Sequence, residues 1–509
     1  MPINEMLAMY DIRGIQNYIF KTNAVKEIIG ASKIVDDIII NGFKEYVNSL
    51  DEAERQYYYL DWKHDDHEKF LKDNTVLMQV MFVGGGNAYV LYRNKDVASK
   101  VNKYIGKYVL EHTYSLHVAI AMVDKTDSYR DDYRDINNKM RDIKARMPES
   151  IPVGALPFVE TDSITGYPLT RLGDHEKLCT ESYLKQEAFK TLKDVNEKIF
   201  DNMVTKKGDN STLALVHMDG NSLGKRIMKI MQGIDDYPSA IKKMRTLSMG
   251  IDDTFKKAYE SMEDWMDTQD KYFENKKNKK HRKIVLAGDD ICFVCNPKLV
   301  LGALDHFLKN LNEQDVSFIK KDDNDKPIFS ACAGVAFFNS HFPFSDAYKV
   351  AEACCDNAKK MAKTKECCND NLVGNFIDFQ MCTNINASDL DAYRDKHYRV
   401  NNEKFINRPY YVDVNNDMNL NDKNMKYSIK GLYEKLEILT SSKTPRSIAK
   451  EIRGVIPQGA NEIKKEISYL DSRKYDQFND LEEKKSVWYD ACELMDFVLK
   501  EGNLDENRN

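Results

Sequence analysis

Hydrophobic and polar positions fall twice into the same order along this chain. In the later half, Leu213-Ala214-Leu215-Val216-His217-Met218 reads as a buried strand that ends in Asp219, and Gly220-Asn221-Ser222-Leu223-Gly224-Lys225 then turns into an amphipathic helix. Ile284 to Val294 is apolar, turn, apolar, the pattern of a β-hairpin whose Gly288-Asp289 supplies the backbone angles of a tight turn. A strand-like run, Phe329 to Phe338, and a helix from Ser345 to about Lys363 close the cycle.

The first half repeats it. Leu7-Ala8-Met9-Tyr10 predicts a strand, followed by Asp11 and a turn at Gly14 into a helix. Val76 to Val83, Gly84-Gly85-Gly86-Asn87 and Ala88 to Tyr92 form the corresponding hairpin, and a helix from Lys95 to about His112 precedes a strand from Leu116 to Met122. We read an internal duplication. Turn residues dominate Pro152 to Leu172, and a helical run from Leu184 to about Met203 leads into the second cycle. Beyond about Leu372 the pattern changes. Phe376-Ile377-Asp378-Phe379 still suits a sheet edge, while the apolar spacing of Ile429, Leu432, Leu436, Ile438 and Leu439 predicts a packed helix, as does Val487 to Leu499.

The chemistry lies at the turns. Asp289 and Asp290 sit between runs that a sheet would bury, so their charge needs compensation, and a hard divalent cation supplies it. The competing reading is an exposed acidic hairpin tip. Asp219, ending a strand beside that hairpin, favours the cation: palm-type nucleotidyl transferases hold two magnesium ions on such a set. In the helix ending near Lys363, small residues along Ala351 to Ala358 allow close approach to a sheet, and Lys359, Lys360 and Lys363 stand within reach of a triphosphate. Lysines also suit an ordinary solvated helix C-terminus. The first hairpin lacks the carboxylates. Its glycines, Gly84, Gly85 and Gly86, permit close backbone approach to a phosphate or base, or make a plain tight turn.

Composition narrows the field modestly. No apolar run nears the roughly 20 residues that span a bilayer, and the start lacks a signal pattern, so a cytoplasmic protein without membrane contact is expected. At a net charge of −6, nucleic-acid contact needs a local patch. One candidate is Lys276, Lys277, Lys279, Lys280, His281, Arg282 and Lys283, which also reads as a solvated excursion. The ten cysteines suit core filling rather than disulfides or zinc. His64-Asp65-Asp66-His67 reads as a surface cluster.

The order Asp-x-Asn-x-Leu-Gly from Asp219, Ala-Gly-Asp-Asp from Ala287 and Ala-Glu-x-x-x-x-x-Ala-Lys from Ala351 resembles the palm domain shared by diguanylate cyclases and CRISPR polymerases. It is most similar to the polymerase-cyclase large subunit of type III CRISPR effector complexes, a two-palm family that makes cyclic oligoadenylates. Lys26 to Val35 looks like the opening of that family's first palm. The resemblance implies an α+β fold: two ferredoxin-like palms of antiparallel sheet with helices, then a mainly helical, thumb-like domain. The expected boundaries are a first palm at 1–135, a connector at 136–204, a second, catalytic palm at 205–380 and the helical domain at 381–509. The first palm begins within a few residues of the start, so a standalone member lacking the His-Asp nuclease domain is expected.

On this reading the chain joins ATP into a cyclic oligonucleotide defence signal with two Mg2+ or Mn2+ ions per site. Asp219, Asp289 and Asp290 are the expected catalytic metal ligands, assisted by the Gly220 carbonyl. Asn221, Gly288, Lys359, Lys363 and the Gly84–Gly86 turn are expected around nucleotide. Expected partners are ATP and RNA or a CRISPR-type effector protein, and a homodimer stays open. The alternative is a catalytically silent nucleotide sensor or RNA-binding scaffold.

Overall fold

The apolar runs form two separate sheets in the computed structural model, which describes residues 4–84, 86–147, 158–174, 176–192, 200–204, 211–273, 279–320, 328–364, 368–369, 372–382, 389–412 and 427–499. Contacts divide the chain into two units: Met1–Glu197 with Ser222–Thr254 and Val316–Lys326, and Lys198–Asn221 with Phe255–Asp315 and Pro327–Asn509.

The first unit holds a five-stranded sheet in the order Tyr58–Tyr59, Met78–Gly84, Asn87–Tyr92, Met6–Arg13, His117–Asp124. Helices Val25–Asp36, Ile38–Asn48, Lys95–Thr113 and Tyr129–Arg146 accompany it. The helix Ile38–Asn48 buries Phe43, whose ring meets Tyr10 of the sheet edge-on at 5.2 Å. The second unit holds six strands in the order Tyr410–Val412, Asn375–Met381, Ala331–Asn339, Thr212–Gly220, Asp290–Cys295, His281–Ala287. Both sheets therefore contain the same four-strand sequence: two hairpin strands, the acid-bearing strand, and the strand that leads into the next long helix.

The fold is α+β, as expected, but neither sheet is wholly antiparallel. Ala331–Asn339 runs parallel to Asn375–Met381, and Tyr58–Tyr59 runs parallel to Met78–Gly84. The long helix Phe344–Ala362 is the reason in the second sheet. It carries the chain back to the starting end, as a parallel neighbour requires. After the sheet come helices Ile429–Thr440, Arg446–Val455, Ala460–Ser472 and Lys485–Leu494, with Ile429, Leu432, Leu436 and Leu439 buried as their spacing predicts. The cysteines whose side chains are described are all buried and free of disulfides. Among the described residues no helix is long and apolar enough to cross a membrane.

One contact sets how closely the long helix approaches its sheet. A Cβ on Gly334 would stand 1.9 Å from the Ala351 carbonyl oxygen and 2.3 Å from the Cys355 nitrogen, both backbone atoms. Neither can swing aside. Gly334→Ala should therefore cost about 3 kcal/mol, the upper end for overpacking, and chemical denaturation of parent and variant would measure it.

Candidate active site

Strand register brings the three acids to one end of the second sheet. Asp290 lies directly opposite Asp219 on the adjacent strand, and Cys332 lies opposite Asp219 on the other side. Side chains alternate along a strand, so His217 and Asp219 share a face with Asp290 and Cys292 and with Cys332 and Gly334. The helix Phe344–Ala362 covers this face. Its Cys355 thiol donates to the Cys332 carbonyl at 3.3 Å, and its Tyr348 ring meets His217 edge-on at 5.5 Å.

Asp289 occupies the hairpin tip. Ala287 pairs with Asp290, leaving Gly288 and Asp289 as a two-residue loop. Gly288 has φ +63°, while Asp289 is not among the positive-φ residues, the sign pattern of a type II′ turn. Burial, reinforced by the charges of Asp219 and Asp290, pushes the Asp289 carboxyl up to about 7, against the pull of Lys359. Asp290 is one-third exposed and has His217 Nδ1 3.6 Å from its Oδ1.

Lys359 answers Asp219 directly: its ammonium donates to Asp219 Oδ2. Burial opposes the lysine's charge, but the bond to Asp219 and its Coulomb attraction outweigh that and raise the pKa. The three lysines that the sequence offers on equal terms separate here. Lys359 is 18% exposed, whereas Lys360 is 71% exposed and turned to Asp391. Lys363 is exposed just past the helix end.

The remaining predicted residues divide. Gly220 ends the strand opposite Ala331. Asn221 is buried, and its amide donates to Ser330 Oγ at 3.0 Å and the Gly374 carbonyl at 3.1 Å while accepting from the Cys332 thiol at 3.3 Å. Both amide hydrogens are thus spent tying the strand end to its neighbours. Gly84 and Gly86 belong to the other unit, where Gly86 has φ +77° and accepts from the Ile12 amide at 3.0 Å. Gly85 lies outside the described residues. In that sheet Asn87 stands opposite Asp11, where the second sheet has Asp290 opposite Asp219, and Lys144 of the following helix pairs with Asp11 at 2.5 Å.

Among the described residues no three side chains of His, Cys, Asp and Glu come close enough together to hold a metal ion. Asp219 is instead neutralised by Lys359.

Sequence reasoning passed over two groups on the same face, His217 and Glu352. Both are polar residues within apolar or small-residue runs, which was the available signal. Glu352 lies seven residues before Lys359 on the helix, and its carboxyl is pushed up by burial and by the charges of Asp356 and Asp290.

The basic stretch before the hairpin is split where it is described: Lys280 and His281 are buried, while Lys279 and Lys283 are exposed. Lys280 is buried, with its Nζ 5.3 Å over the Phe273 ring, and His281 bonds Asp267 at 2.8 Å and stands 3.6 Å from Glu263. Lys276 and Lys277 lie outside the described residues. His64 pairs with Asp61 at 2.9 Å in an exposed setting, as a surface cluster should.

Residues 212–368 match the family model for the second palm domain of Cas10/Cmr2. By fold, the chain is similar to chains of Csm1-Csm4 cassettes. A cassette in complex with pppApA matches at TM-score 0.53 and 11% identity, covering 98% of this chain and 70% of that one. One in complex with cA4 matches at 0.52 and 12%, with the same coverage of 98% and 70%. Against the cassette in complex with AMPPNP, the match spans 53% of that chain's length. No curated protein matches. That model falls on the segment that carries all three acids and the Lys359 helix, so residues 212–368 are similar to the second palm domain of Cas10/Cmr2.

Proposed function

We propose that this chain joins ATP into a cyclic oligonucleotide, most simply an oligoadenylate that signals in antiviral defence. The observation that carries this reading is the placement of Asp219 opposite Asp290, beside Asp289, with a lysine from the next helix reaching the same point. The donor types suit a hard divalent cation: burial, reinforced by the charges of Asp219 and Asp290, pushes the Asp289 carboxyl up to about 7, and a cation drawing the three carboxylates together would offset that penalty.

Asp219, Asp289 and Asp290 would hold Mg2+ or Mn2+, with the Gly220 carbonyl assisting. Two such ions, when bound, supply activation of a ribose hydroxyl and stabilisation of the triphosphate and leaving pyrophosphate. In the transfer, the hydroxyl oxygen forms a bond to the α-phosphorus, its proton departs, and the bond to pyrophosphate breaks. Lys359 exchanges Asp219 for triphosphate oxygens, which frees that carboxylate, and Lys363 one turn later adds charge to the same anion. Asn221 holds the strand end in place. Gly288 allows the turn that presents Asp289.

The matched cassettes pair Csm1 with Csm4 and were solved with pppApA or cA4. By analogy, adenine nucleotides and a CRISPR-type effector protein are the proposed ligands and partner here. The ion pair on Asp219 favours one second reading, a silent palm that senses nucleotide or supports RNA.

Labelled ATP or GTP with Mn2+ tests the reading, using the parent beside Asp289→Ala/Asp290→Ala. Label entering a phosphatase-resistant product only with the parent supports transfer. Nucleotide retained unchanged by both proteins supports the sensor, and neither reaction nor retention supports the scaffold.

A further inference from the structure

We infer that the strand His117–Asp124, an edge of the first sheet, is a docking site for an extended segment of a partner protein, which adds there as a parallel strand with apolar residues at alternate positions. The inference stands apart from the transfer chemistry, since it uses the backbone of the first unit.

Register shows which way the groups of this strand point. The Ile12 amide donates to the Gly86 carbonyl at 3.0 Å, so the even-numbered residues of Met6–Arg13 face the hairpin and the odd ones face His117–Asp124. The partners of those odd residues, Ala119, Ala121 and Val123, therefore bond inward. Val118, Ile120 and Met122 point their N–H and C=O groups outward. Among the described residues, the hydrogen bond made on that side is from Lys139 Nζ to the Met122 carbonyl, at 2.7 Å.

The second sheet shows what fits such an edge. Asp11 faces Ala119 as Asp219 faces Cys332, so Val118, Ile120 and Met122 stand where Ala331, Ala333 and Val335 stand. There Asn375–Met381 fills the edge, pairing in parallel from Cys332 with Phe376 to Phe337 with Met381. Its even-numbered amides face Ala331–Asn339, as the Cys382 amide does in donating to the Phe337 carbonyl at 2.8 Å. In the first sheet, His117–Asp124 is the last strand among the described residues.

An open edge is a template for another chain, and proteins ordinarily blunt it. Tyr58–Tyr59, at the other end of this sheet, is two residues long, and Tyr410–Val412 in the second sheet is three. His281–Ala287 carries a register shift and the cations Arg282 and Lys283. His117–Asp124 has none of these devices: its eight residues pair without a shift, Val118 to Val123 are all apolar, and no Pro or Lys interrupts them. Val118, Ile120 and Met122 are half-buried, so apolar side chains on an added strand would complete their cover. A twofold pair of these edges would run antiparallel, whereas the filled edge of the second sheet is parallel, which points to a different chain as the occupant.

The probe is the peptide Asn-Phe-Ile-Asp-Phe-Gln-Met, the sequence of Asn375–Met381, added to the full chain with amide exchange read residue by residue by NMR. In the free chain the amides of Val118, Ile120 and Met122 should exchange about tenfold or more faster than those of Ala119 and Ala121, and saturating peptide should slow them about tenfold. A nitroxide on the peptide's first residue should broaden the Val118 signal more than that of Asp124. A peptide carrying Asp378→Pro lacks a donor that faces the edge and should bind about tenfold more weakly, as should the unaltered peptide to the Ile120→Pro chain. The peptide variant decides the matter even where the Ile120→Pro chain fails to fold. Slow exchange at the three amides in the free chain overturns the inference, because the edge is then already filled; a dimer on sedimentation with the same slow exchange assigns it to a second copy. Exchange unchanged by peptide, slowing confined to 331–337, stronger broadening at Asp124 than at Val118, or equal binding by the Asp378→Pro peptide overturns it as well.

Discussion

On the proposed two-metal transfer, Asp219→Asn should reduce nucleotide joining on the order of a thousandfold while leaving the protein folded. Asp219 is the acid that the neighbouring groups define most fully. It faces Asp290 across the ladder, carries the Lys359 ion pair, and adds to the burial that pushes Asp289 up to about 7. A metal clamp supplies several kcal/mol of charge stabilisation in the transition state, and each ~1.4 kcal/mol is a factor of ten in rate. Stability responds little. The Asp219 side chain is 35% exposed, and an ion pair that open to water contributes about 1 kcal/mol or less. The sign at Asp289 also follows: with the Asp219 charge gone, its carboxyl titrates lower than in the parent. Initial rates with labelled ATP and Mn2+, beside melting curves of both proteins, would check rate and stability together. A variant that keeps a tenth of the parent rate would remove Asp219 from the metal set.

The sequence made the site's parts legible where a local rule governs them. The hairpin between Ile284 and Val294 followed from two β-branched runs around Gly288, and the strand ending at Gly220 followed from an apolar run broken only by His217. The long helix starts at Phe344, one residue before its expected start. What stayed hidden depends on residues distant in sequence. Lys359 and Asp219 are 140 positions apart, so nothing local distinguishes Lys359 from Lys360 or Lys363. The parallel pairing of Ala331–Asn339 with Asn375–Met381 is equally non-local, because an apolar run does not encode the direction of its neighbour. His281 in the basic stretch looked open because its partners, Glu263 and Asp267, lie upstream on the helix Tyr237–Thr268. A charge run reads as a surface patch only until the fold supplies its partners.

Arg394→Leu should destabilise the protein by about 3–5 kcal/mol, the usual cost of stranding one member of a buried pair. Asp378, on the strand Asn375–Met381, has no exposed surface. Arg394 grips it with both terminal nitrogens, at 2.8 Å and 2.9 Å, and also donates to the Phe379 carbonyl and to Gln380. Without the guanidinium, the carboxylate keeps the Asn357 amide at 2.7 Å and the Phe379 N–H at 2.7 Å, and neither carries charge. Adding Asp378→Leu should recover part of the loss, since an apolar pair needs no compensation, although Asn357 then lacks its acceptor. The effect reaches the site through that asparagine. Asn357 lies two residues before Lys359 on one helix, so the clamp holds that helix from the sheet strand beyond it. Denaturant titration of the single and double variants separates the contributions. A single-variant loss below about 1 kcal/mol would mean that water reaches Asp378 and that close packing, led by Gly334, holds the helix without the clamp.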